Sequence, residues 1–180
     1  MFYVCILFYI SQERTKNIVD QSPIIKSQIA TKPFWGLPVH LIIPMINVDT
    51  TIQSFGVNPK GEMDISDDIV DVGWFKLGSR PGEKGSAVIA GHLDGIDGQT
   101  GVFINLDKLK TGDKLYVEDE NKKLVTFVVR ESQIYDPGYA EEVFSPNDDA
   151  HLNLITCDGL WNGIKKEYSK RLVVFTDLLK

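Results

Sequence analysis

Short extended segments recur along this chain and restrict it to a mostly β architecture. We count about eight segments with strand-like patterns, separated by turns rich in Gly, Pro and Asp, and little that is typical of long helices. Ser86–His92 is apolar on both faces, as expected for a central strand. Lys114–Glu118 and Leu124–Ile134 predict a hairpin. The expected fold is a β-barrel of about eight strands, closed or nearly closed, with short helices and long loops.

Three stretches are predicted to be something other than strand. Asp67–Phe75 is expected to form a helical turn that leads into a loop, and Val102–Leu109 suits a short helix. Tyr135–Ala150 contains two prolines and is too long for a simple turn. Long ordered loops in compact domains are usually functional, so we expect this connection to take part in a site.

Length and charge set the domain organisation and exclude one class of partner. A chain of 180 residues that is 43% hydrophobic favours one domain with a substantial core, which we place at residues 34–180. The net charge of −6 and the absence of a basic stripe argue against nucleic-acid binding. Residues 11–33 are polar and are predicted to be a stalk or linker.

Residues 1–10 are apolar throughout. The run is shorter than the roughly 20 residues that span a bilayer, and it lacks the basic start and small-residue cleavage site of a signal peptide. We predict that it is the remnant of a membrane anchor. The alternative is a short apolar element packed on the domain.

Two strand patterns near the C-terminal end carry a thiol and a guanidinium. In Leu152–Cys157, alternate residues fall on opposite faces, and Asp158-Gly159 predicts a turn that ends the strand. Arg171–Phe175 is rich in β-branched and aromatic residues and predicts a second strand. If the two strands are neighbours, Cys157 and Arg171 lie close together.

Cys157 is the candidate nucleophile. The other cysteine, Cys5, lies in the apolar N-terminal run, so a disulfide is not expected. A catalytic thiol needs a proton partner and a donor for the developing oxyanion. Arg171 is the candidate donor. His92 is the candidate proton partner, because it ends an apolar strand at a turn and imidazole changes charge near neutral pH.

Other assignments of the ionisable residues remain open. His40 and His151 compete with His92 for the role of proton partner. Asp94 either orients the His92 imidazole or caps a turn. A zinc site built from His92, His151 and Cys157 lacks the paired ligand spacings of known zinc sites, so we predict neither metal nor cofactor.

These residues together resemble the sortases, which are cysteine transpeptidases of bacterial, mostly Gram-positive, cell surfaces. The resemblance includes the order His92, Cys157, Arg171 and covers about Leu37–Leu178, nearly the whole domain. It is carried by these motifs: Ala90-Gly91-His92, Leu154-Ile155-Thr156-Cys157, Gly73-Trp74-Phe75 and Gly101-Val102-Phe103. The His-x-Asp form of His92-Leu93-Asp94 and the Gly-Trp-Phe stretch look closest to the class E and F branches.

The resemblance implies an eight-stranded sortase-type barrel and a defined reaction. Cys157 would cleave an LPXTG-like sorting signal between Thr and Gly through a thioester. An amine from a peptidoglycan precursor or a pilin lysine would resolve the thioester, which anchors surface proteins to the cell wall or builds pili. His92 would transfer the protons, and Arg171 would bind substrate and stabilise the oxyanion. The implied substrate-binding residues are Thr156, Ile155, Tyr135 and Val143.

The resemblance also implies a location at the bacterial cell membrane, with the catalytic domain outside the cell and the N-terminal segment in the membrane. Two departures concern substrate preference and subclass: Asn153 stands where many sortases have threonine, and Asp158–Trp161 replaces a Gly-Gly run. The alternatives are a peptide hydrolase and a catalytically inactive peptide-binding barrel on the same fold.

Overall fold

The computed structural model describes residues 35–59, 61–95, 98–138, 141–145 and 149–180. Its strands are β1 (Pro38–Ile43), β2 (Val48–Phe55), β3 (Val72–Phe75), β4 (Gly85–Gly91), β5 (Lys114–Asp119), β6 (Leu124–Tyr135), β7 (Ala150–Asn162) and β8 (Glu167–Leu178). The helical elements are α1 (Glu141–Phe144) and 3-10 helices at Pro44–Ile46 and Leu106–Lys108. The predicted mostly β fold with short helices is confirmed.

The eight strands close into a barrel in the order β1-β2-β3-β4-β7-β8-β6-β5. Neighbouring strands are antiparallel except for two pairs, β2 with β3 and β4 with β7, which are parallel. The predicted hairpin of β5 and β6 is confirmed. Parallel pairing of β4 with β7 brings the end of β4 beside the middle of β7, near Ile155, at one rim of the barrel.

The strands carry apolar side chains on both faces along one side of the barrel. The inner core includes Leu41, Phe103, Phe127, Leu152, Leu154 and Val174. A second cluster lies on the other face of β4, β7 and β8, where Val88, Val173 and Phe175 pack with Val143 of α1. Helix α1 therefore covers part of the outer wall and forms one side of an apolar surface there.

The predicted helical turn at Asp67–Phe75 is wrong in its second half, because Val72–Phe75 is strand β3, parallel to β2. Gly73 is needed at this position, since a Cβ there would lie 2.9 Å from the ring of Phe55 on β2. A four-residue strand that contains glycine has little of the pattern by which strands are recognised.

The predicted helix at Val102–Leu109 is largely absent, and only its Leu106–Lys108 portion is helical. The N–H groups of Val102 and Phe103 donate instead to the distant carbonyls of Ile69 and His92, at 2.9 Å each. These long-range hydrogen bonds fix the loop after β4 to the body of the domain.

The cysteine-bearing strand is longer than predicted. β7 continues past Asp158-Gly159 to Asn162 and stays paired with β8. A register shift between Asp158 and Trp161 accommodates Gly159, whose φ is +80°. The chain reverses at residues 163–166 instead. Cys157 therefore lies within a strand, and a two-stranded extension projects beyond it.

The apolar segment 1–10 and the linker 11–33 lie outside the described residues. Among the residues that the structure describes, no helix has the length and apolar character that crossing a bilayer requires.

Candidate active site

Cys157 and Arg171 face each other across the pairing of β7 with β8. They are direct partners in the antiparallel register, and side chains opposite each other in this way share a face, with Cβ atoms about 4.5–5.5 Å apart. The neighbouring Thr156 and Leu172 are buried on the inner side, so alternation places Cys157 and Arg171 on the outer face. The two strands are neighbours, which is the condition under which the sequence places Cys157 close to Arg171.

His92 follows β4 directly and reaches the same rim. The parallel register pairs Ala90 with Ile155, so two further residues along both strands lead to His92 and Cys157. The Thr156 hydroxyl donates to the Gly91 carbonyl at 2.9 Å and joins the end of β4 to β7. The three predicted residues are therefore brought to one edge of the barrel.

The imidazole of His92 is oriented by a backbone carbonyl. Its Nε2 lies 2.8 Å from the carbonyl oxygen of Ser66. Because a carbonyl oxygen only accepts hydrogen bonds, Nε2 carries a proton. No partner for Nδ1 is present among the described residues, so Nδ1 is the nitrogen that is available to exchange a proton with a substrate or with the thiol.

Ser66 is itself held firmly in the loop between β2 and β3. Its side chain is buried, and its Oγ accepts from Gln53 Nε2 at 3.3 Å and from the Asp68 N–H at 3.0 Å. Gln53 Nε2 also donates to Asp71 Oδ2 at 2.7 Å. This network fixes the carbonyl that sets the ring orientation of His92.

One nitrogen of the Arg171 guanidinium already donates hydrogen bonds to the backbone. Nη1 donates to the carbonyls of Tyr168 at 3.0 Å and Lys170 at 2.8 Å. Within the described ranges, Nε and Nη2 have no partner. An arginine carries five N–H donors, so the unpaired ones are available to an oxyanion near the thiol.

Asp94 contacts a tyrosine rather than the imidazole. The Tyr168 hydroxyl donates to Asp94 Oδ2, and this hydrogen bond, with burial, raises the pKa of Tyr168 to about 12. No hydrogen bond joins Asp94 to His92 in the part of the chain that the structure describes, where the ring is held by Ser66.

The thiol of Cys157 is half-buried, and three influences act on it. Burial raises its pKa, the Arg171 guanidinium lowers it and the Asp94 carboxylate raises it, with the net pKa above the ordinary value. At neutral pH most molecules therefore hold the protonated thiol. A nearby base such as His92 Nδ1 has to take that proton before the sulfur becomes nucleophilic.

A family model described as the sortase domain matches residues 41–179, which is most of the chain. The chain belongs to the sortase family. No curated protein matches it.

Solved sortase structures resemble this one over most of their length. Sortase C from Clostridium perfringens SM101 has a TM-score of 0.60 and 25% identity, covering 82% of this chain and 72% of that one. Sortase C1 of Streptococcus agalactiae, in complex with MTSET, has a TM-score of 0.62 and 26% identity, with coverages of 79% and 68%. Sortase C-1 from Actinomyces oris has a TM-score of 0.63 and 26% identity, with coverages of 79% and 75%.

Two of the four predicted substrate-binding residues of this sortase, Ile155 and Tyr135, lie at the outer apolar surface, and a third, Val143, is buried beneath it. Ile155 and Tyr135 pack against the cluster that contains the buried Val143. Tyr135, on β6, is also the direct strand partner of Arg171, and its ring lies 6.4 Å from that of Phe175. Cys157, Arg171 and Tyr135 therefore form a row across three strands.

Thr156 differs from the other three. It lies on the inner face of β7, the face that carries Leu152 and Leu154, and its hydroxyl donates to the Gly91 carbonyl. Its place in the structure is to join β4 to β7, and the outer surface is lined by its neighbour Ile155.

The competing histidines lie elsewhere in the sortase barrel. His40 is paired with Asp49 on β2, and His151 Nδ1 lies 2.8 Å from Asp177 Oδ1 on β8. His151 precedes Cys157 by six residues on β7, a separation of roughly 20 Å. No group of three His, Cys, Asp or Glu residues within the described ranges is arranged to hold a metal.

Sequence reasoning missed several residues of the site. Ser66 acts through its backbone carbonyl, which every residue has, so no side-chain pattern reveals it. Tyr168 lies before the segment that was predicted as strand. Val173 and Phe175 could be predicted from the sequence, because alternation along Arg171–Phe175 places them on the same face as Arg171.

The shifted thiol pKa predicts how alkylation of Cys157 depends on pH. With iodoacetamide, and with the Cys157 peptide quantified by mass spectrometry, the rate should rise with a midpoint above the usual thiol value of about 8.5. Arg171→Ala should move the midpoint higher, because the guanidinium lowers the thiol pKa. Arg130→Ala on β6 is the matched control and should leave it unchanged. A midpoint insensitive to Arg171→Ala would contradict this account.

Proposed function

We propose that this sortase cleaves an LPXTG-like sorting signal between Thr and Gly and transfers the acyl group to an amine. The observation that carries the proposal is the placement of Cys157, Arg171 and His92 at one rim of the barrel, next to an apolar outer surface. A thiol, a proton carrier and an oxyanion donor are the three groups that acyl transfer through a thioester requires.

The first half-reaction makes the acyl-enzyme. The Cys157 thiol gives its proton to His92 Nδ1, and the thiolate attacks the threonine carbonyl. Nε and Nη2 of Arg171 donate to the oxyanion that develops on the carbonyl oxygen. The C–N bond to glycine then breaks, the imidazolium returns its proton to the leaving amine, and a thioester remains on Cys157.

The second half-reaction transfers the acyl group. An incoming amine attacks the thioester carbonyl and His92 Nδ1 takes a proton from the attacking nitrogen. The C–S bond then breaks, and the imidazolium gives the proton to the sulfur. Amines suited to this step are those of a peptidoglycan precursor or a pilin lysine. The products are an amide and the regenerated thiol, so no cofactor or metal takes part in these two half-reactions.

The outer apolar surface supports recognition of an extended peptide with apolar side chains. Ile155 lies two residues from Cys157 on the same face of β7, and Tyr135 of β6 lies opposite Arg171; both are half-buried and pack on the buried cluster beneath them. Helix α1 forms the wall, because Asn153 Nδ2 donates to the Val143 carbonyl at 2.7 Å and fixes the helix against the strand. A leucine side chain of the sorting signal would bury its surface here.

We further propose that the enzyme belongs with the class E and F sortases. The His92-Leu93-Asp94 form and Gly73-Trp74-Phe75 support this placement, whereas the solved structures from Clostridium perfringens, Streptococcus agalactiae and Actinomyces oris are described as sortase C. Alignment with members of every class tests the placement, and grouping with class C would contradict it.

We also propose that the enzyme acts at the bacterial cell membrane, with the barrel outside the cell. The apolar residues 1–10 and the polar residues 11–33 support an anchor followed by a stalk. Surface proteins bearing a sorting signal would be the substrates, anchored to the wall or polymerised into pili.

Removal of the reacting groups is expected to stop or slow acyl-enzyme formation. With an LPXTG-like peptide, intact mass spectrometry should show a thioester adduct on the native protein and none on Cys157→Ala. Arg171→Ala should slow the adduct by about 10²–10³-fold, and His92→Ala by about 10²–10⁴-fold. His40→Ala is the matched control, because His40 is paired with Asp49 on other strands, and it should acylate normally.

The outcomes of that experiment separate the alternatives. An adduct on Cys157→Ala, or a normal rate for His92→Ala with a slow His40→Ala, would refute the assignment of roles. A folded protein that binds peptides but never forms an adduct would be an inactive peptide-binding barrel.

Shortening an apolar side chain of the outer surface is expected to weaken the contact between the enzyme and its peptide substrate. Ile155→Ala should lower kcat/KM for the peptide by about 10-fold or more, with the alkylation profile of Cys157 unchanged. Ile42→Ala, the same change at a half-buried position on β1, serves as the control and should react normally. Equal losses in both variants would show that the effect is one of stability.

Membrane association is expected to depend on the N-terminal segment. When the chain is expressed in a Gram-positive host, it should fractionate with membranes, and deletion of residues 1–10 should release it. The same distribution with and without these residues would contradict the proposed anchor.

A further inference from the structure

The extension of β7 and β8 beyond the active site has little packing to hold it in place. Leu160 is 81% exposed and Ile164 is 95% exposed, so these two apolar residues do not pack into the domain, whereas the Trp161 ring lies 5.2 Å from the ring of Tyr168. The register shift between Asp158 and Trp161 interrupts the ladder at its base. The orientation of this extension therefore depends on the polar contacts that its base makes with the barrel.

Tyr168 makes two such contacts, and each leads to a proposed reacting group. Its hydroxyl donates to Asp94, two residues after His92, and its carbonyl accepts from Arg171 Nη1 at 3.0 Å. The loop that carries Asp94 is itself fixed, because the Leu93 carbonyl accepts from the Gly101 N–H at 3.0 Å. Tyr168 therefore connects a fixed loop to the guanidinium.

We propose that Tyr168 and Asp94 form a latch that positions the guanidinium of Arg171 against the loop carrying His92. The inference rests on the proposed cysteine chemistry and extends it, since both residues act through Arg171 as positioning residues and not on the substrate. The latch holds the Tyr168 carbonyl in place, and that carbonyl, together with the Lys170 carbonyl, occupies Nη1 and directs the remaining donors of Arg171.

The effect of Asp94 on the pKa of the thiol indicates that Asp94 has a structural role. Two charged groups influence the thiol besides its burial: Arg171 of β8 lowers the pKa of Cys157, and Asp94 of the loop after β4 raises it. A carboxylate there opposes thiolate formation, so its benefit has to lie elsewhere. The Tyr168 hydroxyl is protonated at neutral pH, as in any tyrosine, and its hydrogen bond to Asp94 raises the pKa of Tyr168 further, to about 12.

The first test measures the alkylation midpoint of Cys157 and needs no substrate. Tyr168→Phe removes the latch hydrogen bond, so Arg171 should move away and the midpoint should shift up, towards that of Arg171→Ala. Asp94→Asn keeps an oxygen acceptor but removes the charge, so its midpoint should shift down. Tyr116→Phe on β5 and the exposed Asp107→Asn are the matched controls and should leave the midpoint unchanged.

The second test measures peptide cleavage. Tyr168→Phe should lower kcat by roughly 10-fold to 100-fold with little change in KM, because small displacements of a catalytic group cost rates of that order. Asp94→Asn should keep more activity than Tyr168→Phe. In an Arg171→Ala background, Tyr168→Phe should cause no further loss, since the latch acts through Arg171.

The contrary results are equally definite. An unshifted midpoint and a native kcat in folded Tyr168→Phe, or an equal loss with and without Arg171, would overturn the latch. If Tyr168→Phe does not fold by circular dichroism, Asp94→Leu takes its place and should show the same Arg171-dependent loss of kcat. If the native enzyme forms no acyl-enzyme, the proposed function fails, whereas opposite midpoint shifts in Tyr168→Phe and Asp94→Asn still support the latch.

Discussion

The parallel pairing of β4 with β7 is the constraint on which the active site depends. It brings His92, at the end of β4, to the same rim as Cys157 within β7, and the Thr156 hydroxyl is bound to the Gly91 carbonyl there at 2.9 Å. β8 adds Arg171 opposite the cysteine. Because alternate residues face opposite sides, the inner face of β7 builds the barrel core while its outer face carries the thiol, and the chemistry can vary without disturbing the packing.

The charges around Cys157 and its burial leave the thiol mostly protonated at neutral pH. Burial and Asp94 raise the pKa of Cys157, and only Arg171 opposes them. The reactive thiolate is then a minor form at neutral pH, and the rate depends on how much of it exists. The rate should therefore rise with pH as the Cys157 thiol ionises.

Much of this arrangement was predictable from the sequence, and the rest depends on long-range contacts. Alternation in Leu152–Cys157 identified the two faces of β7, and the family resemblance supplied the roles of the three proposed reacting residues. β3 was missed because it has four residues and a glycine that packs against Phe55. The Ser66 carbonyl leaves no signal in the side chains. The turn expected at Asp158-Gly159 is instead a register shift within a longer hairpin, and a strong local turn signal does not reveal that the ladder continues.

The transfer of an acyl group to an amine is the central claim, and product analysis tests it most directly. An LPXTG-like peptide is incubated with the native enzyme, with and without added glycine-type and alanine-type amines, and the products are identified by mass spectrometry. A transpeptidase should cleave the peptide slowly without amine and faster with it, and the ligated peptide should form a larger share of the products as the amine concentration rises. If the hydrolysed acid is the only product at every concentration of several amines, the enzyme is a hydrolase on the same residues and the claim of transfer is contradicted.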